Sequence, residues 1–137
     1  MAYPPAFTEI ADNLSFLEDW EDRYSYIIEL GRALPPLPEA EQNPETRVHG
    51  CTSRVWLTTR REGPAVFFQG DSDAMIVKGL VAILIALYSG RPAAEIAETD
   101  AIKVFDELGL REHLTTQRSN GLVAMVNRMR SAAQAAA

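Results

Sequence analysis

From Ala74 to Tyr88 the chain offers almost nothing polar to water, and no other stretch constrains the fold as strongly. Met75, Ile76, Val77, Leu80, Val81, Ile83, Leu84, Ile85 and Leu87 fall on every side of a helix drawn through them, with Lys78 the single charge. Asp71-Ser72-Asp73 ahead of the run supplies side chains that accept backbone N–H bonds at a helix start, and Gly90 and Pro92 stop it. Asp73 also reads as a first-turn carboxylate that complements the helix dipole. A helix apolar all round must be covered all round. Its longest unbroken apolar stretch, Leu80 to Tyr88, falls far below the ~20 residues needed to cross a bilayer. The run therefore predicts a core helix onto which the remaining elements pack.

What packs there is legible as a mixture of helices and a small sheet. Ile10, Leu14 and Leu17 share a helical stripe and predict a helix from Thr8 to Leu17, after a loose arm from Met1 to Ala6. A second helix is expected from an Asp19 cap to Gly31, burying Trp20, Tyr24, Ile27 and Ile28 and turning Glu21, Asp22 and Arg23 to water. Leu34-Pro35-Pro36-Leu37-Pro38 cannot continue it and opens a long connection. Short strands are then expected at Arg47 to His49, Thr52 to Arg60 and Ala65 to Gln69, the last two joined at Glu62-Gly63-Pro64. Helices at Ala93 to Ala97 and Ala101 to Leu108 follow, and a last one starts near Ser119 or Asn120. Leu122, Met125, Val126 and Met129 form its inner face, and its alanine-rich end, Ala132 to Ala137, is expected to fray. The fold class is α+β, a small antiparallel sheet of about three strands with helices mainly on one side, in a single domain over 1–137.

The only cysteine, Cys51, stands where a turn at Gly50 enters the strand-forming run Val55-Trp56-Leu57-Thr58-Thr59. Arg47 and Arg54 are close in sequence, and fixed positive charge favours a thiolate. Two readings stand side by side: a reactive thiol, or a small buried hydrophobe without chemistry. His49 is either a base for the thiol or an ordinary surface histidine. Net charge is −6, yet residues 47–70 carry four basic side chains and one acidic, against ten acidic and two basic in residues 1–46. The overall sign argues against a nucleic-acid binder. One cysteine allows no internal disulfide, and zinc-site spacing, a Gly-rich phosphate loop and a His-Glu-x-x-His pair are all missing, so no cofactor and no metal is expected. The first residues, with Glu9 and Asp12, do not read as a secretory signal, and a cytoplasmic location with no membrane association is expected.

Gly50-Cys51-Thr52-Ser53-Arg54-Val55-Trp56 resembles the Gly-Cys-x-Ser-x-Val-Trp signature of the SufE family, the sulfur-acceptor partners of cysteine desulfurases. Three further stretches agree in order and spacing: Trp20 to Gly31, Gly70-Asp71-Ser72-Asp73 to Leu80, and Arg118-Ser119-Asn120-Gly121-Leu122. The resemblance implies a fold shared with IscU-type scaffold proteins and a Cys51 that accepts sulfur as a persulfide. It implies a pyridoxal-phosphate cysteine desulfurase of the SufS or CsdA kind as donor, stimulated by this chain, and an iron–sulfur scaffold of the SufBCD kind downstream. Such a protein is a transfer accessory rather than a stand-alone enzyme. Gly50, Arg54, Asp73 and Arg118 are implied as partner-binding or thiolate-supporting residues, and the cysteine loop as sheltered until docking. Thr115-Thr116-Gln117 departs from the family pattern just before Arg118. Two rivals remain: an IscU-like cluster scaffold, which needs several thiolates, and a thiol redox enzyme, which needs a poised base or a second cysteine.

Overall fold

The apolar run forms α3 (Met75–Tyr88) in the computed structural model, which describes residues 3–136. Ile76, Val77, Leu80, Val81, Ile83, Leu84, Leu87 and Tyr88 are all buried, and of the run's large residues only Met75 stands in the open. Four elements cover it: α1 (Pro5–Ser15), α2 (Trp20–Ala33), strand β2 (Ala65–Ser72) and α6 (Thr116–Ala136). The expected α+β architecture holds, with helices packed on one face of a three-stranded antiparallel sheet.

β1 (Val55–Glu62) pairs with β2 from Val55↔Ser72 to Glu62↔Ala65 around a two-residue turn, where Gly63 takes φ +57. Alternation then sorts the side chains. Val55, Leu57, Val66 and Phe68 are buried on the helix side, whereas Trp56 and Phe67 on the other face are only partly covered. The third strand is not the one expected. Arg47 to His49 makes a single bridge, Arg47↔Trp56, because the chain turns away at His49-Gly50. β3 (Arg91–Pro92) instead lies along the far edge of β2, returned there by Gly90 at φ +84, whose N–H donates to the Val66 carbonyl (2.8 Å). Its proline has no ladder N–H to lose at that edge.

Where α2 meets α3, two glycines allow their backbones to touch. A Cβ on Gly79 would fall inside the Ile27 carbonyl, and one on Gly31 would lie 2.8 Å from the Gly79 nitrogen. Gly31 is thus a contact residue rather than the expected helix end. α2 runs on to Ala33 and stops at Leu34, which precedes a proline and is extended. Gly79→Ala is expected to destabilise the protein by ~2 kcal/mol or more through overpacking. A urea melt checks this: the midpoint should fall with its slope unchanged.

Arg23 departs from its expected place in water. It is half-buried and donates to the carbonyls of Leu17 (2.8 Å), Leu108 (2.7 Å) and Leu14 (3.2 Å). The Leu17 and Leu108 carbonyls, at the ends of α1 and of α5 (Ala101–Glu107), accept no backbone N–H, whereas the Leu14 carbonyl also accepts from Leu17 (3.1 Å); one guanidinium serves all three. Asp19 occupies the cap position of α2 without a side-chain bond, and the Asp71-Ser72-Asp73 cap is also revised. Asp71 is buried in β2, accepting the Leu37 N–H (3.0 Å) and pairing with Lys78 (3.2 Å), which ties the proline-rich connection to α3.

α4 (Ala93–Glu98) and α5 lie close to their expected bounds. The last helix does not, starting at Thr116 with the Thr115 hydroxyl oxygen accepting the Arg118 N–H (3.2 Å). It stays helical to Ala136, where fraying was expected, because Ala133 is buried and Arg61 donates to the Ala136 carbonyl (3.0 Å). α1 likewise begins at Pro5, inside the segment expected to be loose, since proline suits a first helical turn. Met1, Ala2 and Ala137 lie outside the described residues.

Candidate functional site

Cys51 sits at the tip of a short loop closed by two backbone bonds, Val48 N–H to Val55 carbonyl (2.8 Å) and Leu57 N–H to Thr46 carbonyl (2.9 Å). Gly50 takes φ +94, a region that side chains disfavour, and a Cβ there would come within 3.2 Å of the Ala124 methyl. The conformation therefore favours glycine before the cysteine, and the nearby methyl adds to that preference. Beyond the turn at His49–Gly50, no amide from His49 to Ser53 makes a close hydrogen bond among the described residues, so the loop is held mainly at its two ends.

Those ends are well held. The Asp73 carboxylate accepts the Arg54 N–H (2.9 Å), while the Arg54 carbonyl accepts the Ser72 hydroxyl (2.7 Å) and the Asp73 N–H (3.2 Å). Upstream, Arg128 donates to the carbonyls of Arg47 (3.0 Å) and Glu45 (2.6 Å). Asp73 neither caps α3 nor stands free: it anchors the strand side of the cysteine loop.

The thiol is half-buried against α3 and α6. Sγ lies 3.5 Å from the Gly121 carbonyl, and a Cβ on Gly121 would approach it to 3.4 Å. Val77, Leu80 and Met125 line a cavity of about 20 Å³ beside it, with Arg118 and Gln117 at its edge. The fold thus brings Gly50-Cys51 together with Arg118 and Gly121, some seventy residues apart. Gly121 stood in the sequence as part of a motif, but nothing there says that its missing side chain makes room for sulfur. Val77, Leu80 and Met125 gave no signal beyond core packing.

The electrostatics run opposite to the sequence expectation. Burial pushes the Cys51 thiol up from an ordinary 9.0, and the Arg47 guanidinium pulls it back only in part. Arg54 is not among the groups acting on the thiol, and its side chain is exposed. The neutral thiol is therefore favoured in the free protein. Alkylation of Cys51 by iodoacetamide is expected to inflect above pH 9.0 in the folded protein and to fall to ordinary thiol values in urea. A folded-state inflection below the unfolded one would show that charge outweighs burial.

His49 is exposed and makes no bond to Cys51, so it does not serve the thiol as a base in this arrangement. His113 stacks on Trp20 with ring centroids 4.4 Å apart, a contact invisible in the sequence. Among the described residues no three His, Cys, Asp or Glu side chains could together hold a metal ion. No described helix is long and apolar enough to cross a membrane.

Comparison with known proteins bears on the fold and the family. Among solved structures, the solution structure of a hypothetical protein from Thermus thermophilus superposes with a TM-score of 0.79, covering 98% of both chains at 24% identity, which speaks to the fold alone. An uncharacterized SufE-like protein of Rhizobium etli is 55% identical over 130 residues, covering 92% of this chain and 88% of that one. Another from Rhizobium meliloti is 49% identical over 130 residues, covering 92% and 93%. The family model described as "SufE: Fe-S metabolism associated domain" matches residues 8–133, a span holding the cysteine loop, α3 and the Arg118–Gly121 turn of α6. By a family match over nearly its whole length and relatives at about half identity, this chain belongs to the SufE family.

Proposed function

We propose that the chain is a sulfur acceptor that takes sulfane sulfur onto Cys51 from the persulfide of a cysteine desulfurase, stimulates that enzyme, and hands the sulfur on for iron–sulfur cluster assembly. The observation that carries this reading is the placement of its only thiol: at the tip of a loop bonded mainly at its two ends, half-sheltered in a small apolar cleft.

In the transfer step the Cys51 thiol loses its proton and the thiolate attacks the outer sulfur of the donor persulfide. A new S–S bond forms on Cys51, the old one breaks, and the donor cysteine leaves as a thiolate, with no net oxidation. Attack needs a higher thiolate fraction and more access than the free protein provides, so docking must draw the tip out of its cleft. The loop can move because little beyond the weak Cys51 thiol contact to the Gly121 carbonyl holds it between its bonded ends, while β1 behind it is tied into the sheet. Return of the loop would place the outer sulfur among Val77, Leu80 and Met125, away from oxidants and reductants. The receiver is an iron–sulfur scaffold of the SufBCD kind. A cluster scaffold is the weaker reading, since one thiol per chain leaves most cluster ligands unsupplied.

Mass spectrometry after incubation with a desulfurase and cysteine tests the proposal. The expected product is the intact chain plus one sulfur atom, lost on reduction and mapped to Cys51. An unmodified chain under conditions where the donor carries persulfide would overturn it.

A further inference from the structure

Most arginines of this protein are occupied. Arg23, Arg61, Arg91, Arg128 and Arg130 donate to main-chain carbonyls, while Arg32, Arg60 and Arg111 pair with carboxylates. Among the described residues, the guanidinium groups with neither hydrogen bond nor ion pair are those of Arg47, Arg54 and Arg118. All three flank the cysteine loop. Arg118 edges the thiol cleft, but Arg47 and Arg54 line a different cavity of about 370 Å³, together with His49, Trp56, Asn43 and Pro44. No acidic side chain lines it. The Asp73 carboxylate is engaged by the Arg54 backbone instead, and Arg47 Nε is buried without any partner.

We propose that this groove receives a carboxylate-rich segment of the protein that exchanges sulfur with Cys51, fixing that partner beside the cysteine loop. The inference rests on the sulfur-acceptor reading and adds how the partner is recognised. Unpaired guanidinium groups match carboxylates by planar, bidentate geometry. The partly covered Trp56 ring offers a floor for the stems of acidic side chains. A nucleic acid fits poorly, because the chain carries −6 overall and the groove holds only two fixed cations. Docking here also acts on the loop directly, since His49 and Arg54 stand at either side of its tip.

Arg54→Gln isolates the groove, because Arg47 alone among the cations acts on the thiol. In desulfurase turnover, the KM for this protein is expected to rise about tenfold at ~50 mM salt, with the maximal rate retained and the gap closed at ~500 mM. Arg47→Gln/Arg54→Gln should raise KM further, and Arg54→Gln alone should leave Tm unchanged, since that side chain is exposed and has no hydrogen bond or ion pair to lose. An unchanged KM at low salt, or a fallen maximal rate at unchanged KM, would overturn the proposal. If the parent gained no sulfur at any salt, the sulfur-acceptor reading would fail instead. The groove is then judged by titrating labelled parent protein with hexaglutamate and following NMR shifts. Perturbation of Arg47, His49, Arg54 and the Trp56 indole supports it, and shifts absent there, or equal with hexalysine, reject it.

Discussion

A Cys51→Ser variant is expected to fold as the parent does, yet to gain no sulfur and give no stimulation when incubated with a cysteine desulfurase and cysteine. The hydroxyl nearly matches the thiol in shape and can donate to the Gly121 carbonyl that now lies 3.5 Å from Sγ. Stability should therefore change by no more than ~1 kcal/mol. The chemistry has no such substitute: serine is not ionised at neutral pH and forms no stable bond to sulfane sulfur, and the chain holds no second thiol to take over. Desulfurase turnover with reductant limiting, read beside a thermal melt, checks both halves. Stimulation at the parent level by a well-folded serine variant would remove Cys51 from the mechanism.

Leu84→Asp should leave no folded protein. Leu84 is at 0% exposure in the middle of α3, among Leu80, Ile83 and Leu87, which are also enclosed. Removing a leucine side chain from such a site costs ~2–5 kcal/mol before any charge is considered. A carboxylate there would also be buried without a partner, and the sum rivals the ~5–15 kcal/mol that holds a typical domain together. Circular dichroism and a flat urea profile would report the loss. A cooperative melt near that of the parent would mean that α3 is not the centre of the core.

The helices and the hairpin were legible because their signals are local. A run without polar residues, a stripe at helical spacing and a Glu-Gly-Pro turn each depend on neighbours within a few positions. Boundaries failed where a distant contact overrode the local sign. Gly31 resembles a helix stop, but its bare backbone serves the contact with Gly79. Arg23 has the charge of a surface residue, but three main-chain carbonyls at helix ends draw it inward. The alanine tail has little to bury by itself, and α6 holds it because the helix lies along β1. The third strand was misplaced for the same reason: two residues at Arg91–Pro92 carry no strand pattern, and only the edge of β2 makes them one.

The site divides along the same line. By itself, the sequence determined that one thiol follows a glycine at the mouth of a strand, and the match of four stretches determined the family. Only the tertiary structure decided the state of that thiol. Burial against Val77, Leu80 and Met125 outweighs Arg47, so the free cysteine is a sheltered neutral thiol rather than the activated thiolate that neighbouring arginines suggest. It also decided that Asp73 anchors the loop and that Arg47 and Arg54 face an open groove without counter-ions. Desolvation and ion pairing depend on what surrounds a group in space. For Cys51 those surroundings come from α3 and α6, both of which follow the hairpin that the cysteine loop leads into.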